Sequence, residues 1–519
     1  MALSYGTPYG WDIVEIPSYP NISQDSNFGG NNVKFTIDQE PYHCYNGKNC
    51  YISVQLDIKQ IRETGDVKCL EPIINSGSRT EPTKISVPYL SNNPGGVLFD
   101  TIKCNFRNNQ IINLQTAGSV NTMYRMLYET KAEQMSVYST NAINPLSIED
   151  SATTTGVLYD DYVAIATKLG VTNATTIGAK FSKHMIWALK NKQFNFDKQN
   201  RSRINIQVPV SLFYCDELLY FGNEKCELSF LISDTWYKDL ILIAGSKGCN
   251  IPELVVGDGK GGIPYTVTNK SADSALTKCT INVNCTGMCL FMCRGHLTKS
   301  QIPRSVSTTY YMKQFSPALT QLNQSSSSSL IATLESKCRM THIVIGFLVN
   351  KSLEFKYSPC QFDSSYTDNY LKTIGPTFDE TKNTQDPLTL IKNIRIVFAS
   401  NSYPQDPYTL YSENGDNHQF FRAFTDYTIF SDSLRSGNGS LMDHSQWQNN
   451  QLYVFKLKHA LNNTSGNISV NIDLKTTPDS NTHSEVMIMG MYDEYLTIKL
   501  DELSQCIGGG LSAAPPIFE

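Results

Sequence analysis

Residues 51–59 read YISVQLDIK, and their alternation decides the fold class. Ile52, Val54, Leu56 and Ile58 fall on one face, while Ser53, Gln55, Asp57 and Lys59 fall on the other. Successive side chains of a strand point to opposite faces, so a period of two marks a strand with one buried side. The pattern returns at Ile102, Cys104 and Phe106, at Ile204, Ile206, Val208 and Val210, and at Cys226, Leu228, Phe230 and Ile232. Further along it recurs at Cys279, Ile281, Val283 and Cys285, at Ile394, Ile396 and Phe398, at 454–457, and at Ile468, Val470, Ile472 and Leu474. Short strands with turn-rich joints predict an all-β chain built of sandwiches. Helical spacing is confined to 121–134, 159–169 and 417–427; the last carries Phe420, Phe421 and Phe424 on one stripe.

The order of these pieces repeats. A strand at 102–106, an Asn-rich turn, a helix from about 121 and strands at 204–210 and 226–232 make one module. A strand at 394–398, the turn Asn401-Ser402-Tyr403-Pro404, a helix from about 417 and strands at 453–457 and 468–474 make the second. The first module is the longer between its helix and its late strands, which places an insertion at about 140–190. An internal repeat of this size implies two similar domains in one chain. The expected division is an N-terminal arm at 1–30, a first domain at 31–262, a second at 263–505 and a flexible C-terminal tail at 506–519. The arm, with Tyr5, Tyr9, Trp11 and Tyr19 among Pro and Gly, reads as an extended segment able to grip a neighbour.

Composition narrows the function. The 519 residues exceed one ordinary core, and 40% apolar with 11% aromatic residues is ample for two. A net charge of −5 opposes a protein that coats nucleic acid, because such proteins bind phosphates through clustered Lys and Arg. No direct sequence-specific nucleic-acid binding is therefore expected. The longest apolar run, Ile343 to Val349, is well short of the roughly 18 residues that cross a bilayer. The first residues lack the basic and apolar regions of a secretory signal, so the 14 cysteines are expected as reduced thiols and the Asn-x-Ser/Thr sequons as unmodified.

The chemistry-bearing motifs do not assemble into a site. Gly257-Asp258-Gly259-Lys260-Gly261-Gly262 matches the dinucleotide-binding glycine pattern, but Ile263-Pro264 and the residues after it read as extended chain where that motif needs a helix. It is expected to be a loop between the modules. Cys279, Cys285, Cys289 and Cys293 lack the close pairing of structural zinc ligands, and all four are odd-numbered, so an uninterrupted strand would line them along one face as buried thiols. No nucleophile elbow, phosphate-binding loop or HExxH zinc motif occurs. No catalytic residue, cofactor or metal is expected, and the chain is not read as an enzyme.

Four stretches resemble one known family. They are FDTIKCNFRNNQII (Phe99–Ile112), RINIQVPVSLFYCDELLYFGNEKCELSFLIS (Arg203–Ser233), CLFMCRGHLTKSQIP (Cys289–Pro303) and EVMIMGMYDEYLTIKL (Glu485–Leu500). Together they resemble the double jelly-roll major capsid proteins of the virophage, Polinton-like virus and adintovirus group, and more distantly those of giant viruses. The resemblance spans about 35–505. It departs at Phe213-Tyr214-Cys215, where relatives usually carry a Gly-containing loop. The third stretch resembles a strand at the start of the second roll, and the fourth the final strand.

The resemblance implies two consecutive eight-stranded jelly-roll β-sandwiches and a homotrimer whose six upright rolls give a pseudo-hexagonal capsomer. It implies neighbouring capsomers, a penton protein and minor capsid proteins as partners, a DNA genome enclosed by an icosahedral shell, and the virion as location, after synthesis in the host cytoplasm. The 140–190 insertion would then be an outward tower. Ile507-Gly508-Gly509-Gly510 resembles the recognition sequence of adenovirus-type maturation proteases, which implies cleavage between Gly510 and Leu511. Two other readings remain at this stage: a tandem β-sandwich lectin or adhesin, and a carbohydrate-active enzyme whose carboxylates lie far apart in sequence.

Overall fold

The structure is a computed structural model. It describes residues 8–22, 29–38, 42–62, 67–68, 73–77, 82–90, 98–106, 109–115, 127, 201–214, 217–222, 224–234, 241–245, 254–256, 265–267, 279–299, 301, 307–322, 329–335, 340–351, 391–398, 401–410, 418–434, 447, 452–457, 467–474, 482–500 and 506–512.

Alternating sequences form strands throughout. In order these are β1 (Gly10–Pro17), β2 (Asn32–Ile37), β3 (His43–Tyr45), β4 (Tyr51–Arg62), β5 (Val67–Lys68), β6 (Ile73–Gly77), β7 (Pro82–Leu90), β8 (Phe99–Phe106) and β9 (Asn109–Gln115). They continue as β10 (Arg201–Gln207), β11 (Cys226–Ile232), β12 (Ile241–Gly245), β13 (Leu254–Val256), β14 (Tyr265–Val267) and β15 (Cys279–His296). The remainder are β16 (Ser307–Leu322), β17 (Ser329–Glu335), β18 (Met340–Lys351), β19 (Ile391–Phe398), β20 (Asn401–Thr409), helix α1 (His418–Leu434), β21 (Leu452–Lys456), β22 (Asn467–Leu474), β23 (Thr482–Leu500) and β24 (Cys506–Ser512).

The second half shows the topology in its simplest form. One sheet runs β16-β23-β18-β21 and the other β17-β22-β19-β20. Counting β16 to β23 as strands one to eight, the first sheet has the order 1-8-3-6 and the second 2-7-4-5. All pairings are antiparallel. This is a jelly roll: a long hairpin of four strand pairs rolled so that successive pairs fall in alternate sheets. The first half repeats it. There β1, β2, β4, β8, β9, β10, β11 and β15 occupy positions one to eight, as β1-β15-β4-β10 and β2-β11-β8-β9. Strands β12, β7 and β6 form a separate three-stranded sheet.

Each roll closes on its own core. The first contains Phe35, Ile52, Val54, Leu56, Cys104, Phe106, Leu228 and Phe230; the second contains Ile343, Ile394, Ile396, Tyr427, Trp447, Val470, Ile472 and Ile488. The alternating residues thus face inward, and each large apolar side chain contributes roughly 1.5–3 kcal/mol on burial. Aromatic contacts link three neighbouring strands of one sheet on the core side of the first roll, with Phe230 of β11 at 4.9 Å from Phe99 of β8 and 5.8 Å from Phe35 of β2 between ring centres. Leu127, the one described residue of the helix expected at 121–134, is helical but belongs to the second core.

Several expectations need correction. The segment expected as an N-terminal arm contains the first strand of the first roll. Eight consecutive pairings hold β1 on β15, from Gly10 opposite His296 to Pro17 opposite Cys289. The expected border at 262/263 falls before the eighth strand of that roll, because β15 pairs with β4 and β1 and with no strand of the second roll among the described residues. The tail expected to be flexible from 506 runs as β24 along β23 as far as Ser512. In α1 the buried stripe is Ala423, Tyr427 and Phe430, while Phe421 faces out and Phe424 packs on Trp447 with ring centres 5.7 Å apart and planes tilted by 53°. The insertion expected at 140–190 and the helix at 159–169 lie outside the described residues.

Candidate assembly surface

The outer strand β1 presents an apolar face. Its odd-numbered residues point outward, leaving Trp11 45% and Ile13 63% exposed, and the flanking Tyr9 and Tyr19 are 70% and 77% exposed. Beside Ile13 and Glu15, β15 offers Cys293 and Phe291, and Phe291 stacks on Tyr51 of β4 at 5.0 Å and 14°. The outer face of a sandwich sheet is ordinarily polar, so aromatic and aliphatic side chains gathered there make this the candidate contact surface.

A polar latch fixes β1 under that face. Arg294 donates from Nε and Nη2 to the two carboxylate oxygens of Asp12, at 3.0 and 2.8 Å. The Arg294 hydrogen bond holds the Asp12 carboxyl below its ordinary 3.8, against the opposing effect of partial burial. His296 Nε2 lies 3.4 Å from Asp12 Oδ2, and His296 Nδ1 lies 3.1 Å from His43 Nε2. With the Nε2 proton of His296 directed at the carboxylate, Nδ1 accepts and His43 donates. Backbone contacts continue the latch, since the Tyr9 N–H donates to the His296 carbonyl at 3.2 Å. Gly295 is required beneath it: an added Cβ would stand 2.9 Å from Pro8 Cγ and 3.1 Å from Cys44 Sγ. Three strands, β1, β3 and β15, meet at this point.

Sequence reasoning missed the latch because Asp12 and Arg294 lie 282 residues apart. The only available signal was the alternation in GWDIVEIP, whose exposed positions Trp11, Ile13, Glu15 and Pro17 are apolar apart from Glu15, while the other face mixes Asp12 with Val14 and Ile16. The sequence-predicted residues fall elsewhere. Gly510 and Leu511 sit within β24, paired with Thr497 and Leu496. The Gly-rich stretch 257–262 lies outside the described residues, but its flanking strands β13 and β14 pair with each other, so extended chain follows it where a dinucleotide loop would need a helix.

The cysteines of β15 do not share one face. Pairing with β4 shifts between Cys285 and Gly287, and the extra residue of this bulge inverts the alternation. Cys285 therefore points into the core, while Cys289 and Cys293 are half-buried on the other side. Burial pushes the Cys285 and Cys50 thiols up to about 12 and that of Cys44 up to about 11. These behave as small apolar groups. Among the described residues no cluster of three or more His, Cys, Asp or Glu is placed to hold a metal.

No protein-family model matches the chain, and no curated protein matches it. Solved structures do. A chain of the Sputnik virophage, determined by electron cryo-microscopy, aligns over 98% of this chain and 90% of its own length, at 11% identity and a TM-score of 0.50. The mavirus major capsid protein aligns over 98% and 92% at 9% identity and a TM-score of 0.46. The faustovirus major capsid protein aligns over 95% and 91% at 12% and 0.42. The Sputnik likeness is one of fold, and it spans both rolls.

Proposed function

We propose that the chain is the major capsid protein of an icosahedral virus, a structural protein whose trimers tile the shell. The observation that carries this reading is the 1-8-3-6 and 2-7-4-5 sheet order formed twice by one chain. Two similar upright modules per subunit let a three-fold assembly present six near-equivalent towers, and a near-hexagonal outline packs into a closed shell. The fold shared with the Sputnik chain supports the reading. So does the net charge of −5, which suits a wall around a genome better than a protein bound along it.

The rolls divide between Leu297 and Ser307 in this account. The Trp11–Ile13 face meets a second copy of the chain. Neighbouring capsomers, a penton protein and minor capsid proteins are the further partners, and the virion is the location. Maturation cleavage between Gly510 and Leu511 requires β24 to peel from β23, since a protease must enclose an extended single strand. Mass spectrometry of the protein from particles tests that step, and an intact Glu519 terminus in assembled shells would remove it.

Electron microscopy of the purified chain tests the main reading. Six-lobed particles with three-fold symmetry are expected. Class averages showing single two-lobed molecules at concentrations that favour assembly would contradict it.

A further inference from the structure

We propose that the second roll carries a binding cleft for a neutral hexose unit of a glycan, between β20, α1 and β21. The cleft has a volume of about 920 Å³. That lies within the roughly 300–1,000 Å³ typical of small-ligand sites.

Its charges select the ligand. Arg422 and Lys456 bring positive charge, while Asp406 and Asp426 bring negative charge. The Asp426 carboxylate accepts the Tyr408 hydroxyl, and the Arg422 guanidinium lies 5.5 Å above the Tyr408 ring. Among the described residues Arg422 makes a long 3.4 Å hydrogen bond to Gln419 and neither cation closes a salt bridge. An anionic ligand would meet two carboxylates in one cleft, and a cationic ligand would meet Arg422 and Lys456. A neutral polyol uses both sets, because each hydroxyl donates to a carboxylate and accepts from a guanidinium or ammonium.

The walls favour a sugar ring over a peptide. Tyr403, partly exposed, and Ile429, 63% exposed, supply apolar surface for the C–H face of a pyranose. Strand β20 is the edge of its sheet, so an extended peptide could otherwise add there. Its sequence NSYPQDPYT places two prolines without N–H groups along that edge, which obstructs strand addition. The proposal is independent of the shell reading.

Saturation-transfer NMR on the full chain, with a panel of neutral and of sialylated or sulfated oligosaccharides, is the test. Transfer to neutral hexoses is expected. Asp406→Asn and Arg422→Gln should each weaken binding roughly tenfold, the loss expected for one charge-assisted hydrogen bond. Lys225→Gln on the first roll should leave it unchanged, and unaltered melting would show that the variants fold. Transfer to acidic glycans alone, transfer to none, or binding indifferent to both cleft variants would overturn the assignment.

Discussion

Asp12 and Arg294 make a bidentate pair at the surface, with Asp12 partly open to solvent. Screening limits such a pair to about 1 kcal/mol at most. Because Arg294 lowers the Asp12 pKa, the pair adds stability above the ordinary carboxylate value of 3.8 and loses it as the pH falls through the lowered one. Asp12→Asn should therefore speed amide exchange in 10–17 at neutral pH. In the unsubstituted chain the same acceleration should appear only below about pH 4. Exchange independent of both would show that the backbone ladder alone holds β1. A second residue-scale outcome concerns thiols. Burial pushes the Cys50 and Cys285 thiols up to about 12, so an alkylating reagent near pH 8 should label half-buried Cys289 before either of them, read by peptide mass spectrometry. Prior labelling of Cys285 would contradict the bulge. That bulge was not legible, since a register shift is fixed by the partner strand and not by the spacing of Cys279, Cys285, Cys289 and Cys293.

Strands were legible wherever one face meets a core and the other meets water. Ile102, Cys104 and Phe106, with Cys226, Leu228, Phe230 and Ile232, face inward as their alternation required. The correspondence of β8, β10 and β11 with β19, β21 and β22 was also visible in the order of the pieces. Two strands of the first roll were misplaced for different reasons. In β1 the exposed positions Trp11 and Ile13 are apolar, so its pattern does not separate core from solvent. In β15 a Gly-rich stretch upstream suggested a domain border, although composition there reflects only a connection between strands. At this scale the core predicts its own cost: Phe230→Ala, which removes a ring lodged against Phe35 and Phe99, should cost about 3–5 kcal/mol in denaturant unfolding. A loss below about 1 kcal/mol would mean the two sheets of the first roll do not close on that side chain.

For the whole molecule, duplication is the feature with consequences. One roll repeated in a single chain gives two similar modules, and a three-fold assembly of such chains, as proposed above, would approximate six-fold symmetry. The candidate surface on β1 was only half legible: its aromatic residues drew notice, but the latch beneath them joins parts of the chain that only folding brings together. If that surface joins copies, replacing Trp11 and Ile13 with Asp should weaken association while leaving melting unchanged, because both side chains are exposed in the single chain. Lowered melting would instead make the stripe part of the fold. The most direct test of the central claim is the mass of the purified chain by light scattering during size-exclusion chromatography. A discrete species of about three times the 58.1 kDa chain is expected. A monomer that persists as concentration rises would contradict it.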